Sequence, residues 1–135
     1  MSSAIFVNMT VSDLKQSMGF FEALGYRFNP QFTNDEAASL VISDTIYAML
    51  HTPDSIRRFT QKEIVDAHKA TEVLLALQED SREAVDALTE KALAAGGKIA
   101  RETEDHGFMY CRSFEDLDGH IWEIFWMDPS QMPSA

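Results

Sequence analysis

The chain has 135 residues, a mass of 15.2 kDa and 45% hydrophobic residues, which suffices for one compact domain or for two small halves that share a core. Its 22 acidic residues outnumber 11 basic ones and give a formal charge of -11, which opposes binding to nucleic acid or to an anionic membrane surface. Cys111 is the only cysteine, so no internal disulfide can form, and no stretch approaches the roughly 20 apolar residues that span a membrane; the sequence predicts a soluble, cytoplasmic protein.

The first elements in chain order are a strand and a helix. Residues 5–11 have strand character, and Ser12-Asp13 precede a helical pattern that ends at Gly25. Short strands are predicted next over residues 26–28, 38–42 and 46–50. The first half of the chain, module one at residues 4–51, therefore has the order strand, helix, strand, strand, strand.

The segment that follows, residues 52–70, is longer than a turn requires. Its Thr60-Gln61-Lys62-Glu63 has the pattern of a capping box, in which a threonine hydroxyl and a glutamate three residues later cap a helix. We therefore predict a linker helix over residues 60–67, with His68 on it as a surface or contact residue. Its role would be that of a lid, a dimer contact or a simple packing element.

Module two, residues 71–128, repeats the order of module one. A strand over residues 72–77 precedes a helix that Asp80-Ser81 opens and Gly96-Gly97 terminates, and strands follow at residues 98–101, 108–114 and 121–126, with turns at 104–107 and 115–119. Asp13 and Asp80 differ by 67 positions, which aligns Phe6 with Val73. Gly25 and Gly96 differ by 71, so the second helix is about one turn longer. Residues 129–135 form a tail.

These elements predict an α+β fold of two βαβββ modules. One helix covers only one face of a four-stranded sheet, so each module keeps an open face. We expect the two open faces to surround a shared cavity.

The segment from Asp116 to Trp126 contains the main candidate site residue. Asp118-Gly119 is typical of a turn, and the apolar run after it is typical of a strand. Alternation places Glu123 on a face with Ile121 and Phe125, and a carboxylate in such a place is costly unless it is paired, hydrogen-bonded or bound to a metal.

The order of motifs resembles the vicinal oxygen chelate superfamily, which includes glyoxalase I, extradiol dioxygenases and bleomycin- and fosfomycin-resistance proteins. The resemblance rests on Val11-Ser12-Asp13-Leu14, on Leu24-Gly25-Tyr26 and on Asp116-Leu117-Asp118-Gly119-His120 with Glu123. Within the superfamily it is closest to bacterial proteins described as predicted lactoylglutathione lyases. It implies paired βαβββ modules and, in catalytic members, a divalent metal held by the first and last strands of each module.

The positions that the resemblance assigns to metal ligands are Phe6, Ala48, Val73 and Glu123. One carboxylate cannot by itself hold a transition metal, which needs three or four protein ligands. No cofactor is therefore expected; a divalent metal at Glu123 is the alternative, as is a different site built from His51, His106 and Glu123. Cys111 is interpreted as a buried small hydrophobe. The predicted walls of the ligand pocket are Phe6, Asn8, Ala48, Val73, Tyr110 and Phe125, with His51 at the rim.

The sequence favours a glyoxalase-like protein that binds a small molecule without the usual metal site. One alternative is the metal-dependent isomerisation of a hemithioacetal, as in lactoylglutathione lyases. A second is the sequestration of a drug, as in bleomycin-resistance proteins. In a third, Glu123 acts alone as a metal-free acid or base, and in a fourth it only bonds Asn8, Thr10 or a buried water. The resemblance also implies a homodimer.

Overall fold

The computed structural model describes residues 1–131, and the chain forms two compact units, Met1–Asp66 and Ala67–Ala135. The boundary falls inside the predicted linker, residues 52–70. The predicted tail, residues 129–135, begins with a 3-10 turn at Pro129–Gln131, and its last four residues lie outside the described part. No helix within residues 1–131 is long and apolar enough to cross a membrane.

The first unit has the predicted order of elements. The side chain of Asp13 caps the first helix by accepting a hydrogen bond from Gln16 N at 3.0 Å. The sheet order is β1-β4-β3-β2, with β1 parallel to β4 and the other pairs antiparallel. The elements are β1 (Ile5–Thr10), α1 (Leu14–Ala23), β2 (Arg27–Asn29), β3 (Ala37–Val41), β4 (Ile46–His51) and α2 (Pro53–Ile56).

The second unit repeats this arrangement. Its sheet order is β5-β9-β8-β6, with β5 parallel to β9, and the added strand β7 pairs with β8 where the sequence predicted only a turn. α3 has 13 residues and α1 has 10, which confirms the predicted extra turn. The elements are β5 (Leu75–Gln78), α3 (Arg82–Ala94), β6 (Lys98–Ile99), β7 (Glu104–Asp105), β8 (Met109–Glu115) and β9 (Ile121–Met127).

Each sheet buries one face beneath its helix. In the first unit Leu40 and Leu50 are fully buried, and in the second Phe114 and Ile124 are almost completely inaccessible. These apolar side chains supply most of the stabilisation of each unit. The opposite face of each sheet carries the alternate residues of the same strands. The predicted α+β class and the paired βαβββ order are confirmed.

The predicted linker helix over residues 60–67 is wrong. The Thr60 hydroxyl accepts from Lys62 N at 3.1 Å, two residues on, which makes a local turn instead of a helix cap. Residues 60–67 contain no helix, so His68 does not lie on one. The helix of this segment is the single turn Pro53–Ile56, which Thr52 caps through Ser55 N at 3.3 Å.

The acidic turn before β9 is a structural element. Asp116 is only 6% exposed, and its carboxylate accepts from Asp118 N, His120 N and Trp122 Nε1, each at 3.0 Å. Gly119 has a φ of +87°, and a Cβ there would lie 2.7 Å from His68 N. The motif that suggested the family therefore holds β9 in place.

Candidate functional site

Glu123 is paired with Arg101. The Glu123 side chain is 13% exposed, and its Oε1 lies 3.0 Å from Arg101 Nε. The hydrogen bond to Glu123 is the main reason that the pKa of Arg101 is raised. Sequence reasoning missed Arg101, because it treated residues 98–101 as one strand, whereas β6 ends at Ile99 and the chain bends at Arg101.

A network of polar contacts extends from this ion pair. Arg101 Nη1 donates to Glu104 Oε1 at 2.6 Å, and Nη2 lies 3.5 Å from Cys111 Sγ. The Cys111 thiol donates to Glu123 Oε2 at 3.6 Å. Burial and then the charge of Glu123 raise the pKa of Cys111 to about 11. The thiol is therefore protonated at neutral pH, which agrees with its interpretation as a non-nucleophilic core residue.

A cavity of about 260 Å³ lies beside the network. Ser113 pairs with Glu123 across β8 and β9, and its hydroxyl accepts from Arg101 N at 3.2 Å. A small ligand here would meet guanidinium and hydroxyl groups together with apolar surface. The cavity is lined by Ile99, Arg101, Glu102, Thr103, Arg112 and Ser113.

The first unit presents a different set of residues on the open face of its sheet. Phe6 is 55% exposed, and its ring stacks on Tyr47 with a centroid distance of 4.5 Å and an interplanar angle of 10°. Asn8 follows on the same face of β1, beside Met49 on β4. This face therefore combines an aromatic pair with one amide.

His51 is buried beside that amide. It is 4% exposed, its Nε2 lies 2.7 Å from Asn8 Oδ1, and its Nδ1 lies 2.8 Å from Ser55 Oγ. Because Asn8 Oδ1 can only accept, Nε2 carries the hydrogen and Nδ1 accepts from the Ser55 hydroxyl. Burial lowers the pKa of His51, which favours the neutral ring over the protonated one.

The stability of the protein is expected to depend on pH through His51. The unfolded histidine has a pKa near 6.5 and the folded one a lower pKa, so between these values the unfolded chain binds more protons. The stability that neutral His51 contributes is complete above the pKa of the unfolded chain's histidine, and it is lost as the pH falls through the lower pKa of the folded protein. Thermal unfolding between pH 8 and 5 should show this loss.

Two substitutions test the assignment to His51. His51→Gln should have a smaller decrease in stability with acidification than the wild type, because the titrating group is gone. His106→Gln, which removes an exposed histidine of the second unit, is the control for the substitution itself. Equal slopes in all three proteins would show that another group is responsible.

The structure places the predicted pocket residues on several surfaces. Phe6, Asn8 and His51 share the open face of the first sheet, and Glu123 and Phe125 share one face of the second. Tyr110, which was predicted to be a wall of the ligand pocket, does not share the face of Glu123. It lies on the helix side, where its hydroxyl donates to Asp86 Oδ1 of α3 at 2.6 Å.

The alignment of the two modules also needs correction. The N-caps are Asp13 and Ser81, which differ by 68 positions instead of 67, so Leu74, and not Val73, corresponds to Phe6. The strand faces support this offset, because Ala76 shares the face of Glu123 in the second sheet as Asn8 lies on the face opposite the core in the first. Asn8 pairs with Met49, and Ala76 pairs with Glu123.

The residue equivalent to Glu123 is therefore Met49, and the assignment of Ala48 is wrong. Ala48 pairs with Val7, is completely buried and shares its strand face with the core residue Leu50. It cannot line an open pocket, although the conclusion that an apolar residue stands opposite Glu123 in the repeat is unchanged.

The side chains present do not fit a transition-metal site of the family type. The equivalent positions carry Phe6, Leu74, Met49 and Glu123, which supply one carboxylate and one weak thioether donor. That carboxylate is already compensated by the guanidinium of Arg101. Within the described part of each unit, no three His, Cys, Asp or Glu side chains form a group that could hold a metal ion.

The alternative metal site from His51, His106 and Glu123 is also disfavoured. Both ring nitrogens of His51 already make hydrogen bonds, to Asn8 and Ser55. His106 is exposed, and its Nε2 contacts Glu104 Oε2 at 3.3 Å.

Comparisons with known proteins agree on the fold. The family model described as "Glyoxalase/Bleomycin resistance protein/Dioxygenase superfamily" matches residues 5–124. The hypothetical protein SA1046 from S. aureus is 26% identical, with a TM-score of 0.78 over 93% of this chain and 94% of that one. No curated protein matches the sequence.

Two further solved structures show the fold alone. A glyoxalase-related enzyme from Fulvimarina pelagi is 22% identical, with a TM-score of 0.77 over 93% of this chain and 88% of that one. The fosfomycin resistance protein FosX from Listeria monocytogenes, in its hexagonal form, is 19% identical, with a TM-score of 0.67 over 96% and 97% of the two chains.

Proposed function

Because the chain belongs to the glyoxalase/bleomycin resistance protein/dioxygenase superfamily, we propose that it is a small-molecule-binding protein that works without a bound metal ion. The observation that carries the proposal is the ion pair between Glu123 and Arg101. Members of one fold family host different chemistries, so the function has to be argued from these side chains.

The ion pair supplies within the chain the positive charge that a buried carboxylate requires. Glu123 Oε1 and Arg101 Nε are 3.0 Å apart, close enough for a charge-assisted hydrogen bond. Removing Arg101 would leave a mostly buried carboxylate without its cation, which is more costly than keeping the pair. A second cation in contact with the same carboxylate would repel the guanidinium.

The same pair gives the cavity beside it a defined polarity. Arg101 presents donors, the Ser113 hydroxyl can donate or accept, and Ile99 adds apolar surface. Such a combination of a few oriented polar groups with apolar walls is typical of a small-molecule site. In this proposal Glu123 holds Arg101 in position, and Arg101 and Ser113 contact the ligand.

The proposal predicts that protein purified without chelator contains far less than one divalent metal ion per chain. Elemental analysis measures this, and a turnover assay with methylglyoxal and glutathione measures the glyoxalase reaction for the wild type and Glu123→Gln. We expect no turnover above background from either protein, because the donor set lacks the ligands that would hold a metal.

The opposite result is equally clear. Stoichiometric metal together with a rate that Glu123→Gln abolishes would overturn the metal-free proposal and establish the lyase alternative. Thermal shifts with a panel of neutral, anionic and cationic compounds then test binding itself, because a ligand that binds only the folded state raises the unfolding temperature, and the shift grows with the logarithm of the ligand concentration relative to its Kd. A panel in which no compound shifts the unfolding temperature would contradict a small-molecule role.

A further inference from the structure

The open face of the first sheet is uncharged across three adjacent strands, in a chain whose formal charge is -11. Register and alternation define this neutral face, whose rows are continuous from β1 through β4 to β3. These rows contain one histidine, His51. Burial lowers the pKa of its ring, so it adds no charge at neutral pH. The rows are Phe6, Tyr47 and Val41; Asn8, Met49 and Ser39; and Thr10, His51 and Ala37.

The amide of Asn8 is oriented by the buried groups behind it. Ser55 donates to His51 Nδ1 at 2.8 Å, and His51 Nε2 donates to Asn8 Oδ1 at 2.7 Å. This relay fixes the carbonyl of the amide towards His51, so its NH₂ group must point elsewhere. Among residues 1–131, the amide's sole hydrogen bond from Nδ2 is a long one to Phe6 O at 3.4 Å.

We infer that the neutral face carries a subsite for an uncharged, planar ligand whose aromatic ring stacks on Phe6 and whose carbonyl oxygen accepts a hydrogen bond from Asn8 Nδ2. The inference rests on the proposed small-molecule function and adds to it a separate subsite on the first unit, with its own class of ligand. One face of the Phe6 ring is covered by Tyr47, while more than half of the Phe6 residue is exposed. Offset stacking on such a ring is favourable beyond the area that it buries.

The dimensions fit a compound with one ring and a directly attached carbonyl group. Phe6 and Asn8 are two residues apart on one strand, which places their side chains about 7 Å apart on the same face. An ionised ligand would lose its hydration here without gaining an opposite charge, which disfavours it. The first charged side chain across these rows is Arg27, on the edge strand β2 beside Val41.

Benzamide is the probe that meets these requirements, and two related compounds each lack one feature. Benzoate has the same shape and a negative charge, and acetamide has the carbonyl group without the ring. We expect benzamide to shift the side-chain NH₂ resonance of Asn8 in two-dimensional NMR spectra of the full chain. It should bind about tenfold more tightly than either related compound, as the loss of one good contact predicts.

Two pairs of variants test the contacts separately. Asn8→Asp keeps the size of the side chain but removes both donors, and should weaken benzamide binding about tenfold. Asn34→Asp is its control, since Asn34 Oδ1 only accepts from backbone N–H groups. Phe6→Leu should weaken binding several-fold, whereas Phe32→Leu, at another exposed phenylalanine, should leave it unchanged.

His51 acts in this subsite as a positioning residue. Its ring ¹⁵N resonances should show hydrogen on Nε2, and Ser55→Ala should shift them towards a mixture of tautomers and weaken benzamide binding by a smaller factor than Asn8→Asp. A purely structural role for the relay would leave benzamide affinity unchanged in folded Ser55→Ala.

The outcomes separate this inference from the proposed function. Shifts confined to residues near Arg101 and Ser113 would overturn the neutral-face subsite and still support small-molecule binding. No shift at any residue would overturn the subsite as well, and the thermal-shift panel would then decide the broader proposal. If Asn8→Asp does not fold, the wild-type shift map and the Phe6 and Phe32 pair still decide the question.

Discussion

Gly119→Ala is expected to lower the free energy of unfolding by about 3 kcal/mol, combining the cost of a left-handed backbone for alanine with a steric clash. The φ of Gly119 is +87°, and the new Cβ would lie 2.7 Å from His68 N and 2.8 Å from Ala67 C. These are backbone atoms, so relief requires a shift of the chain. Urea denaturation followed by tryptophan fluorescence measures the loss, since Trp122 and Trp126 both lie in the second unit.

Gly107→Ala is the matched control. Gly107 also has a positive φ, +79°, but no atom lies within 4 Å of the Cβ position. Gly107→Ala should therefore lower the free energy of unfolding only by the cost of a left-handed backbone for alanine, about 1 kcal/mol. Similar losses in the two variants would show that the contact with residues 67 and 68 is unimportant.

Asp116→Ala is expected to cost about 3 kcal/mol, because unsatisfied buried donors cost roughly 1–3 kcal/mol each and their effects do not add fully. The carboxylate accepts from two backbone N–H groups and from Trp122 Nε1. Alanine leaves all three donors without this acceptor at a position that is 6% exposed. Denaturation followed by circular dichroism should show a lower midpoint.

Asp44→Ala supplies the comparison for Asp116. Asp44 lies in an exposed turn of the first unit, and its backbone carbonyl, which accepts from the Tyr47 hydroxyl at 2.7 Å, is retained in the variant. The free energy of unfolding of Asp44→Ala should stay within about 0.5 kcal/mol of the wild-type value, as is usual for surface positions. A comparable loss in Asp44→Ala would mean that removal of turn aspartates, and not the buried hydrogen bonds, explains the effect.

The fold was predictable because its signals are local. The cap at Asp13 and the alternation in β9 are read from neighbouring residues, and both occur where the sequence predicts them. The prediction of a helix over residues 60–67 was wrong for the same reason. A capping pattern was present, but the Thr60 hydroxyl accepts from the backbone N–H of Lys62 instead of that of residue 63. A short helix also needs tertiary packing, which a local pattern does not report.

The site was less predictable because its contacts join residues that are distant in sequence. Glu123 was identified from its strand, but Arg101 lies 22 positions earlier, beyond the end of β6. His51 and Asn8 are 43 positions apart, and their hydrogen bond depends on the parallel pairing of β4 with β1. An alignment shifted by one residue was enough to exchange Met49 for Ala48, because one step along a strand reverses the face.

The parallel pairing of the outer strand with the last strand also bears on how each unit forms. Ile5 and Ile46 are register partners 41 positions apart, and Leu75 and Trp122 are partners 47 positions apart. Closing such long loops costs chain entropy before any contact between the strands compensates for it. We therefore expect the pairing of β1 with β4, and of β5 with β9, to be the slow step of folding, so the faces that carry Asn8 and Glu123 are completed last.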